Sequence, residues 1–188
     1  VNGGLDSGHL DMRHDAENPG HPRSAFGAIV AALRLRRDTG VGPVTCLSCD
    51  NLQGNGNILR QAVVGLAKRN DPDLADWIDT HCSFPNSMVD CIVPATGPAE
   101  LKYVQALGVG DAVPVTHENF RHWVIEDDFC AGRPAWELVG VEFSDHVHQH
   151  EAQKIRVLNG GHQVLANVAE LLGLETISDA MANPLTHG

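Results

Sequence analysis

Residues 43–51 read PVTCLSCDN, and this stretch decides the fold class. Its first part, Pro43–Ser48, is a short and almost wholly apolar run of β-prone residues, which predicts a strand covered on both faces, as in a parallel sheet. Cys49, Asp50 and Asn51 follow directly. Because open α/β sheets bind their ligands at the carboxyl ends of the strands, we expect Asn51 to lie at a ligand site.

Helical patterns flank this strand on both sides in the sequence. Ser24 is a predicted N-cap, and the helix that follows it ends at Gly40. A second helix begins after a turn at Gln53–Asn57, and further helices are predicted at about Pro72–His81 and Pro98–Leu107. The G-N-G sequence inside that turn is too short for a dinucleotide fingerprint, which needs G-x-G-x-x-G. Strands that alternate with helices in this way predict an α/β fold.

The other segments are interpreted as loops, additional strands and a helical C-terminal part. Residues 1–23 are rich in Gly, Asp, His and Pro and lack apolar periodicity, which predicts a loop. A short strand is predicted at Ile92–Pro94, and three antiparallel or edge strands are predicted at Val113–Thr116, His122–Glu126 and Leu138–Phe143. After Ser144 the pattern becomes helical, with a long helix predicted from about Gln149 to Gly173 and another near Thr176 to Met181.

Composition and charge exclude several classes of protein. The 188 residues are 43% hydrophobic and carry 13 Lys and Arg against 24 Asp and Glu, a formal net charge of −11. This excess of negative charge predicts no binding to nucleic acid or to anionic membranes. Neither a signal pattern nor an apolar run of about 20 residues is present, so we expect a soluble, cytoplasmic protein. The five cysteines fit reduced thiols, and the C-x-x-C of Cys46 and Cys49 lacks a second pair at zinc-site spacing.

A second stretch, Glu151–His162, reads EAQKIRVLNGGH and concentrates polar groups. On an α-helix at about 100° per residue, with Lys154 at zero, Glu151 falls near 60°, His162 near 80° and Asn159 near 140°. These four groups share less than half of the circumference, which is also the ordinary pattern of a solvated helix face. The glycine pair inside the stretch costs about 1 kcal/mol per residue relative to alanine. Such a cost favours a site where a backbone or a ligand approaches closely.

These side chains suit the oxidation of an alcohol or the reduction of a carbonyl. A lysine that is desolvated in a cleft can take and give a proton near neutral pH, so Lys154 is the candidate base. Two amides aimed at one oxygen would stabilise a developing alkoxide, and Asn51 and Asn159 would supply them if the helix and the strand end meet. His162 could hold a substrate hydroxyl, and Glu151 could pass the proton to water or tune the lysine.

A metal site in the segment DHVHQHE, just before the lysine, is the alternative. His146 and His148 would share one face of a strand, with the carboxylate of Glu151 soon after, and imidazole suits zinc, iron or copper. A cupin-like barrel would also need more regular strands and a second histidine motif, for which His117 and His122 are candidates. The helical patterns around them argue against that barrel, so we predict no metal and interpret these histidines as solvated loop residues.

Four blocks of sequence occur together in the chain: Ser48–Leu52 (SCDNL), Ser83–Asp90 (SFPNSMVD), Gly132–Glu137 (GRPAWE) and Lys154–His162 (KIRVLNGGH). In this order, over about residues 20–185, they resemble the polyol-specific long-chain dehydrogenases, the family of mannitol 2-dehydrogenase and fructuronate reductase. The resemblance implies a metal-independent interconversion of a sugar alcohol and a ketose, or of a hexonate and a keto acid. It also implies NAD or NADP as the cofactor and a small polyol or sugar acid as the substrate.

The resemblance assigns roles to individual residues. The acid/base role of the motif lysine falls on Lys154, and the orienting role of the motif histidine falls on His162. The two asparagines of the oxyanion hole correspond to Asn51 and Asn159. Glu151 matches a glutamate linked to proton transfer, and the residues that match pocket-lining positions are Val89 and Asp90.

The same resemblance predicts how the chain divides. Residues 1–147 correspond to the C-terminal part of a Rossmann-like nucleotide-binding domain with added strands, and residues 148–188 to the beginning of a mainly helical substrate-binding domain. The glycine fingerprint of the family and its later helices have no counterpart in these 188 residues. We therefore expect either a fragment of a longer enzyme or a truncated relative without activity.

Overall fold

The computed structural model describes residues 12–186. They divide into two compact units, one ending at Asp145 and the other beginning at His146. The first unit contains, in chain order, α1 (Met12–Glu17), α2 (Ala25–Asp38), α3 (Asn55–Lys68), α4 (Pro72–His81), β1 (Ser87–Asp90), α5 (Pro98–Ala106), β2 (His122–Ile125), a 3₁₀ turn (Trp136–Val139) and β3 (Glu142–Phe143). The second contains α6 (Val147–Gln153), a π-helical segment (Lys154–Asn159), α7 (Gly160–Leu171) and α8 (Ile177–Ala182).

Helices α2, α3 and α4 form the hydrophobic core of the first unit. Each places an apolar stripe toward the others, and the most deeply buried side chains are Leu33 of α2, Val63 of α3, and Leu74 and Ile78 of α4. The predicted N-cap of α2 is confirmed, because the hydroxyl of Ser24 accepts a hydrogen bond from the Gly27 N–H at 3.1 Å. The helices predicted before and after the PVTCLSCDN stretch, α2 to α5, are all present.

The prediction of a loop over residues 1–23 is wrong for part of that range. Residues 12–17 form α1, while residues 1–11 lie outside the described chain. The carboxylate of Asp15 is buried and accepts the N–H groups of Arg23 at 2.6 Å and Ser24 at 3.0 Å. A buried acidic side chain therefore ties α1 to the start of α2, and a contact of this kind produces no apolar periodicity in the sequence.

The sheet of the first unit has the order β1-β2-β3. Strand β2 pairs antiparallel with β1, where Met88 is opposite Val124, and parallel with β3, where Ile125 is opposite Phe143. Val124 and Ile125 are fully buried, which makes β2 the centre of the sheet. The predicted α/β class and the predicted strand at His122–Glu126 are both confirmed.

Three other strand predictions are wrong. Pro43–Ser48 is held by a backbone hydrogen bond from the Cys46 N–H to the Ser83 carbonyl at 2.9 Å, but it forms no ladder in the part of the chain that the structure describes. Ile92–Pro94 and Val113–Thr116 are likewise not strands. The strand near the first of these is β1, which already ends at Asp90. An apolar, β-prone run reports a tendency, whereas a strand needs a partner with which to exchange hydrogen bonds.

The strand predicted at Leu138–Phe143 is shorter than expected. Its first residues belong to the 3₁₀ turn, and only Glu142–Phe143 pairs as β3. Gly140 lies between them with a φ of 93°, a left-handed conformation that ends one element before the next begins.

The second unit interrupts the long helix that was predicted over Gln149–Gly173. The Gly160 N–H donates to the Ile155 carbonyl five residues earlier, which is the hydrogen bond of a π-helix. The predicted terminal helix is present as α8, and Ala169 and Ala180 are buried where α7 packs on it. Among the described residues of both units, no helix has the length and the apolar character that a membrane span requires.

Candidate active site

Asn51 lies on the loop that precedes α3 and is hydrogen-bonded to the start of that helix. Because Pro43–Ser48 forms no ladder, Asn51 does not stand at a strand end as predicted, but is an exposed loop residue three positions before Gly54. Gly54 is the N-cap of α3 and has a left-handed φ of 65°. The side chain of the next residue, Asn55, donates to the Asp50 carbonyl at 2.8 Å. The backbone directly before Asn51 is therefore hydrogen-bonded to the first turn of α3.

The predicted pocket residues Val89 and Asp90 form the end of β1. Both are half-buried, and they pair with Trp123 and His122 of β2. A cavity of about 640 Å³ opens beside them, and its wall includes Val89, Asp90 and Cys49. Since Cys49 is two residues before Asn51, the structure brings the Asn51 loop and the predicted pocket residues to one cavity of the first unit.

Other side chains at this cavity were not assigned from the sequence. The ring of Trp123 stacks on Trp136, with 5.6 Å between the ring centroids, and His122 Nε2 lies 3.2 Å from a carboxylate oxygen of Glu142. His122 was considered only as a metal ligand, and the GRPAWE block was the one signal that pointed to Trp136. Aromatic walls with a few polar groups are typical of a site for a small molecule.

The C-x-x-C motif at the same loop does not have the properties of a redox pair. All five cysteines are free thiols. Burial raises the pKa of Cys46 to about 11 and also raises the pKa of Cys49. Redox-active cysteines instead need a lowered pKa, because the thiolate is the reactive form.

The second unit carries the Lys154–His162 motif on the π-helical segment and the start of α7. On a regular α-helix, residues five apart differ by about 140°, which would separate the Lys154 amine from the Asn159 amide. A turn closed by a five-residue hydrogen bond reduces that angle, which favours placing both side chains on one side of the segment. Lys154 is half-buried, whereas Asn159 and His162 are exposed within the described residues.

Glu151 is one turn before Lys154 and is nearly completely buried, at 4% exposure. Its carboxylate lies 3.0 Å from Nδ1 of His148, whose side chain is exposed. The buried carboxylate of Glu151 is thus paired with an imidazole that is itself exposed to solvent. Glu151 is three residues before Lys154, and positions three apart are neighbours on the surface of a helix. Its role in proton transfer stays a prediction.

The metal-site alternative rested on histidines alternating along a strand, and that basis is wrong. The segment is helix α6, in which residues two apart do not share a face, and His146 is its N-cap. Across residues 12–186, the ligand atoms of His146, His148 and Glu151 do not all lie within 4.8 Å of one another. The Glu151 carboxylate is instead hydrogen-bonded to His148.

Two glycines of the sequence motifs, Gly56 and Gly160, have different surroundings. A Cβ built on Gly56 would overlap the carbonyl oxygens of Phe84 and Pro85, so the close packing of α3 on that segment requires a glycine here. A Cβ on Gly160 would lie 3.8 Å from the Ile155 carbonyl oxygen, which is an ordinary contact. The close approach predicted at the Gly160–Gly161 pair therefore stays a prediction, and no residue is assigned to a nucleotide cofactor.

The predicted site residues are thus divided between the two units. The first unit carries Asn51, Val89 and Asp90, and the second carries Glu151, Lys154, Asn159 and His162. In the first unit, Val89, Asp90 and Cys49 of the Asn51 loop line one cavity. In the second unit, the four residues follow one another along α6, the π-helical segment and α7. The convergence of Asn51 and Asn159 on the Lys154 amine stays a prediction.

Comparison with known proteins gives matches over both units. Residues 3–138 match the family model described as the mannitol dehydrogenase Rossmann domain, and residues 146–187 match the mannitol dehydrogenase C-terminal domain. A mannitol 2-dehydrogenase of Cereibacter sphaeroides is 56% identical over 98% of this chain and 39% of its own length. The D-mannonate oxidoreductase of Escherichia coli (strain K12) is 48% identical over 95% of this chain and 38% of its own length.

A solved structure agrees with these sequence matches. The Pseudomonas fluorescens mannitol 2-dehydrogenase, in a ternary complex with NAD and D-mannitol, superposes with a TM-score of 0.80 and 43% identity. The match covers 94% of this chain and 36% of that structure. The chain therefore spans less than two fifths of the length of the relatives that it matches.

Proposed function

The chain belongs to the mannitol dehydrogenase family, and from that premise we propose that it is part of an oxidoreductase that interconverts a sugar alcohol and a ketose. A hexonate and its keto acid are the related substrate pair, because one relative is a D-mannonate oxidoreductase. The proposed cofactor is NAD or NADP, and it supplies the acceptor for the hydride that leaves the carbinol carbon. The proposed location is the cytoplasm.

The observation that carries this proposal is the π turn at Lys154–Asn159. It supports a site in which the Lys154 amine and the Asn159 amide act on one oxygen atom. Buried Glu151 precedes them by one helical turn. This is the set of groups that an alcohol oxidation needs: a base for the hydroxyl proton, a donor for the oxygen, and a carboxylate that receives the proton from the base.

In the proposed mechanism the neutral Lys154 amine removes the proton from the substrate hydroxyl. The Asn51 and Asn159 amide groups donate hydrogen bonds to the oxygen as negative charge develops on it, which lowers the barrier without a metal ion. His162 orients the hydroxyl. The protonated lysine then gives its proton to Glu151, and Val89 and Asp90 line the pocket for the rest of the polyol. Reduction of the ketose follows the same steps in reverse.

The test is turnover by the product of the complete open reading frame with mannitol, arabinitol or mannonate and NAD or NADP. We expect Lys154→Ala to lower kcat by roughly 10²- to 10⁴-fold, the usual contribution of general acid/base catalysis. Lys102→Ala, on the exposed face of α5, is the matched control and should leave kcat unchanged. Unchanged turnover in Lys154→Ala would refute the assigned role, and absence of turnover in the parent protein would favour a relative without activity.

A further inference from the structure

We propose that Asn55 is the positioning residue that holds the Asn51 loop in register with the pocket strand β1. This inference rests on the proposed function in one respect, since it takes Asn51 as a donor to the substrate oxygen. It adds a residue whose side chain touches neither substrate nor cofactor and acts through the backbone of its neighbours. All of the contacts that support it lie within the first unit.

The Asn55 side chain is 2% exposed and bonds to two separate segments. Its Nδ2 donates to the Asp50 carbonyl at 2.8 Å and to the Ser87 carbonyl at 2.9 Å, and its Oδ1 accepts from the Ser87 N–H at 2.9 Å. A primary amide has two N–H donors and one carbonyl oxygen. Each of these groups is used, so one side chain joins the loop to the strand.

Ser87 contributes a further hydrogen bond from the strand, and we call the contacts of Asn55 and Ser87 together the clamp. It is buried, and its hydroxyl donates to the Ser48 carbonyl at 2.6 Å, two residues before Asp50. Ser87 is also the first residue of β1, the four-residue strand that ends with Val89 and Asp90. The hydrogen bonds of Asn55 and Ser87 therefore connect the residues just before Asn51 with the strand that carries Asp90.

The residues around the clamp are themselves fixed by hydrogen bonds and close packing. Asn86 Oδ1 accepts the Asn57 N–H at 3.1 Å, and the Asn86 N–H donates to the Glu126 carboxylate at 2.6 Å. Gly56 packs so closely on residues 84 and 85 that a methyl group would not fit. Because the start of α3 and the segment before β1 are fixed on each other, loss of Asn55 is expected to move the loop and not the helix.

Asparagine is the side chain that this position requires. Aspartate has the same shape but, when ionised, no N–H donors, so it would place a negative charge beside the Asp50 and Ser87 carbonyls. Alanine would leave both carbonyls and the Ser87 N–H without this partner. Both substitutions remove the link while leaving Asn51 in the chain.

A double-mutant cycle between Asn51 and Asn55 tests the proposal, measured as kcat of the complete protein. We expect Asn51→Ala to lower kcat by roughly 10²- to 10³-fold, as for the loss of one oxyanion donor. Asn55→Ala should lower kcat by about 10- to 100-fold, since a misplacement of about 1 Å costs up to about 10²-fold. If Asn55 acts through Asn51, the double variant should be no more than about threefold slower than Asn51→Ala, because coupled residues are not additive.

Two outcomes would overturn the inference, and they are distinguishable. If Asn51→Ala is slow but the two effects multiply in the double variant, Asn55 has a role that is independent of Asn51, and only this inference fails. If Asn51→Ala turns over like the parent protein, the proposed role of Asn51 fails and takes this inference with it. The KM for the cofactor should stay unchanged in Asn55→Ala, whereas general loosening of the fold would raise it.

Ser87→Ala keeps the test decisive if the Asn55 variants do not fold. It removes the bond from the Ser87 hydroxyl to the Ser48 carbonyl and the longer contact of Asn55 Nδ2 with that hydroxyl at 3.3 Å, and it leaves the Asn55 bonds to the Ser87 backbone in place. We expect a smaller fall in kcat, of about three- to tenfold, that again disappears in the Asn51→Ala background. A fall that persists in that background would contradict the clamp.

Discussion

Asp71 shows how one side chain can join two helices of the core. Its carboxylate accepts the Leu74 N–H at 2.9 Å as the N-cap of α4, and it also pairs with Arg37 of α2 at 3.1 Å. The hydrogen bond from Arg37 is the main cause that lowers the pKa of Asp71 below its ordinary value of 3.8. The stabilisation that Asp71 provides therefore depends on its negative charge.

We predict that Asp71→Ala lowers the free energy of unfolding by about 1–2 kcal/mol at neutral pH, the usual value of an N-cap together with a partly exposed ion pair. A carboxyl group whose folded-state pKa is lowered stabilises the fold above its unfolded-state pKa, and that stabilisation is lost as the pH falls through the folded-state pKa. The difference between the parent and the variant should therefore be full at neutral pH and should shrink below about pH 4. Urea denaturation at several pH values measures it.

Asp71→Asn is the control for this prediction. An asparagine keeps the cap acceptor but removes the ion pair with Arg37, so we expect a loss of only about 0.2–1 kcal/mol. A difference between the parent and Asp71→Ala that stays constant from neutral to acidic pH would contradict the assigned role of the charge.

Helix α3 contains two glycines whose surroundings are opposite. Gly56 lies in the first turn against the Phe84 and Pro85 carbonyls, with no room for a methyl group. Gly65 lies in the interior of the helix and is exposed, and among the described residues nothing is within 4 Å of a Cβ built there. The same substitution at the two positions therefore separates packing from helix propensity.

We predict that Gly56→Ala destabilises the protein by about 1–3 kcal/mol, the range for overpacking a close contact. Gly65→Ala should instead stabilise it by up to about 1 kcal/mol, because alanine is the better helix former. Thermal unfolding of the two variants beside the parent measures both effects. If Gly56→Ala is neutral, the close contact between α3 and the segment before β1 does not exist in solution.

Helical elements could be predicted from the sequence because their signals are local. The Ser24 cap and the apolar stripes are each contained in one segment, and α2 to α5 are present accordingly. The Pro43–Ser48 strand was wrong because its prediction needed a pairing partner that no local pattern reveals. The π turn was missed for a related reason, since a heptad-like stripe does not distinguish a four-residue from a five-residue hydrogen bond.

The site residues show the same difference between local signals and contacts with distant parts of the chain. Lys154, Asn159 and His162 could be singled out because their spacing lies within one helix. Asn55 was overlooked because its G-N-G context predicts only a turn, and its function depends on Ser87, 32 residues away. A buried amide that bonds two distant backbone segments has no sequence signature of its own.

At the scale of the whole chain, the two units differ in how much they bury. The first contains the cluster of α2, α3 and α4, with fully enclosed side chains such as Leu33 and Ile78. From His146 onward the described buried hydrophobic residues are Val147, Ala169 and Ala180, and much of the apolar surface of the π segment and α7 is exposed. Among residues 12–186, only the first unit thus has a core of its own.

We predict that residues 146–188, produced alone, do not fold cooperatively. A chain of roughly 40 residues buries too little apolar surface to offset its conformational entropy without a disulfide, a metal or a partner. Residues 1–145 alone should unfold in a single sigmoidal transition, because they retain the whole cluster around Leu33 and Ile78. Circular dichroism during heating measures both, with a weak and gradual loss of helix signal expected for the shorter piece. A sharp transition in residues 146–188 would contradict this prediction, and it would show that the Lys154 motif lies on an element that is stable by itself.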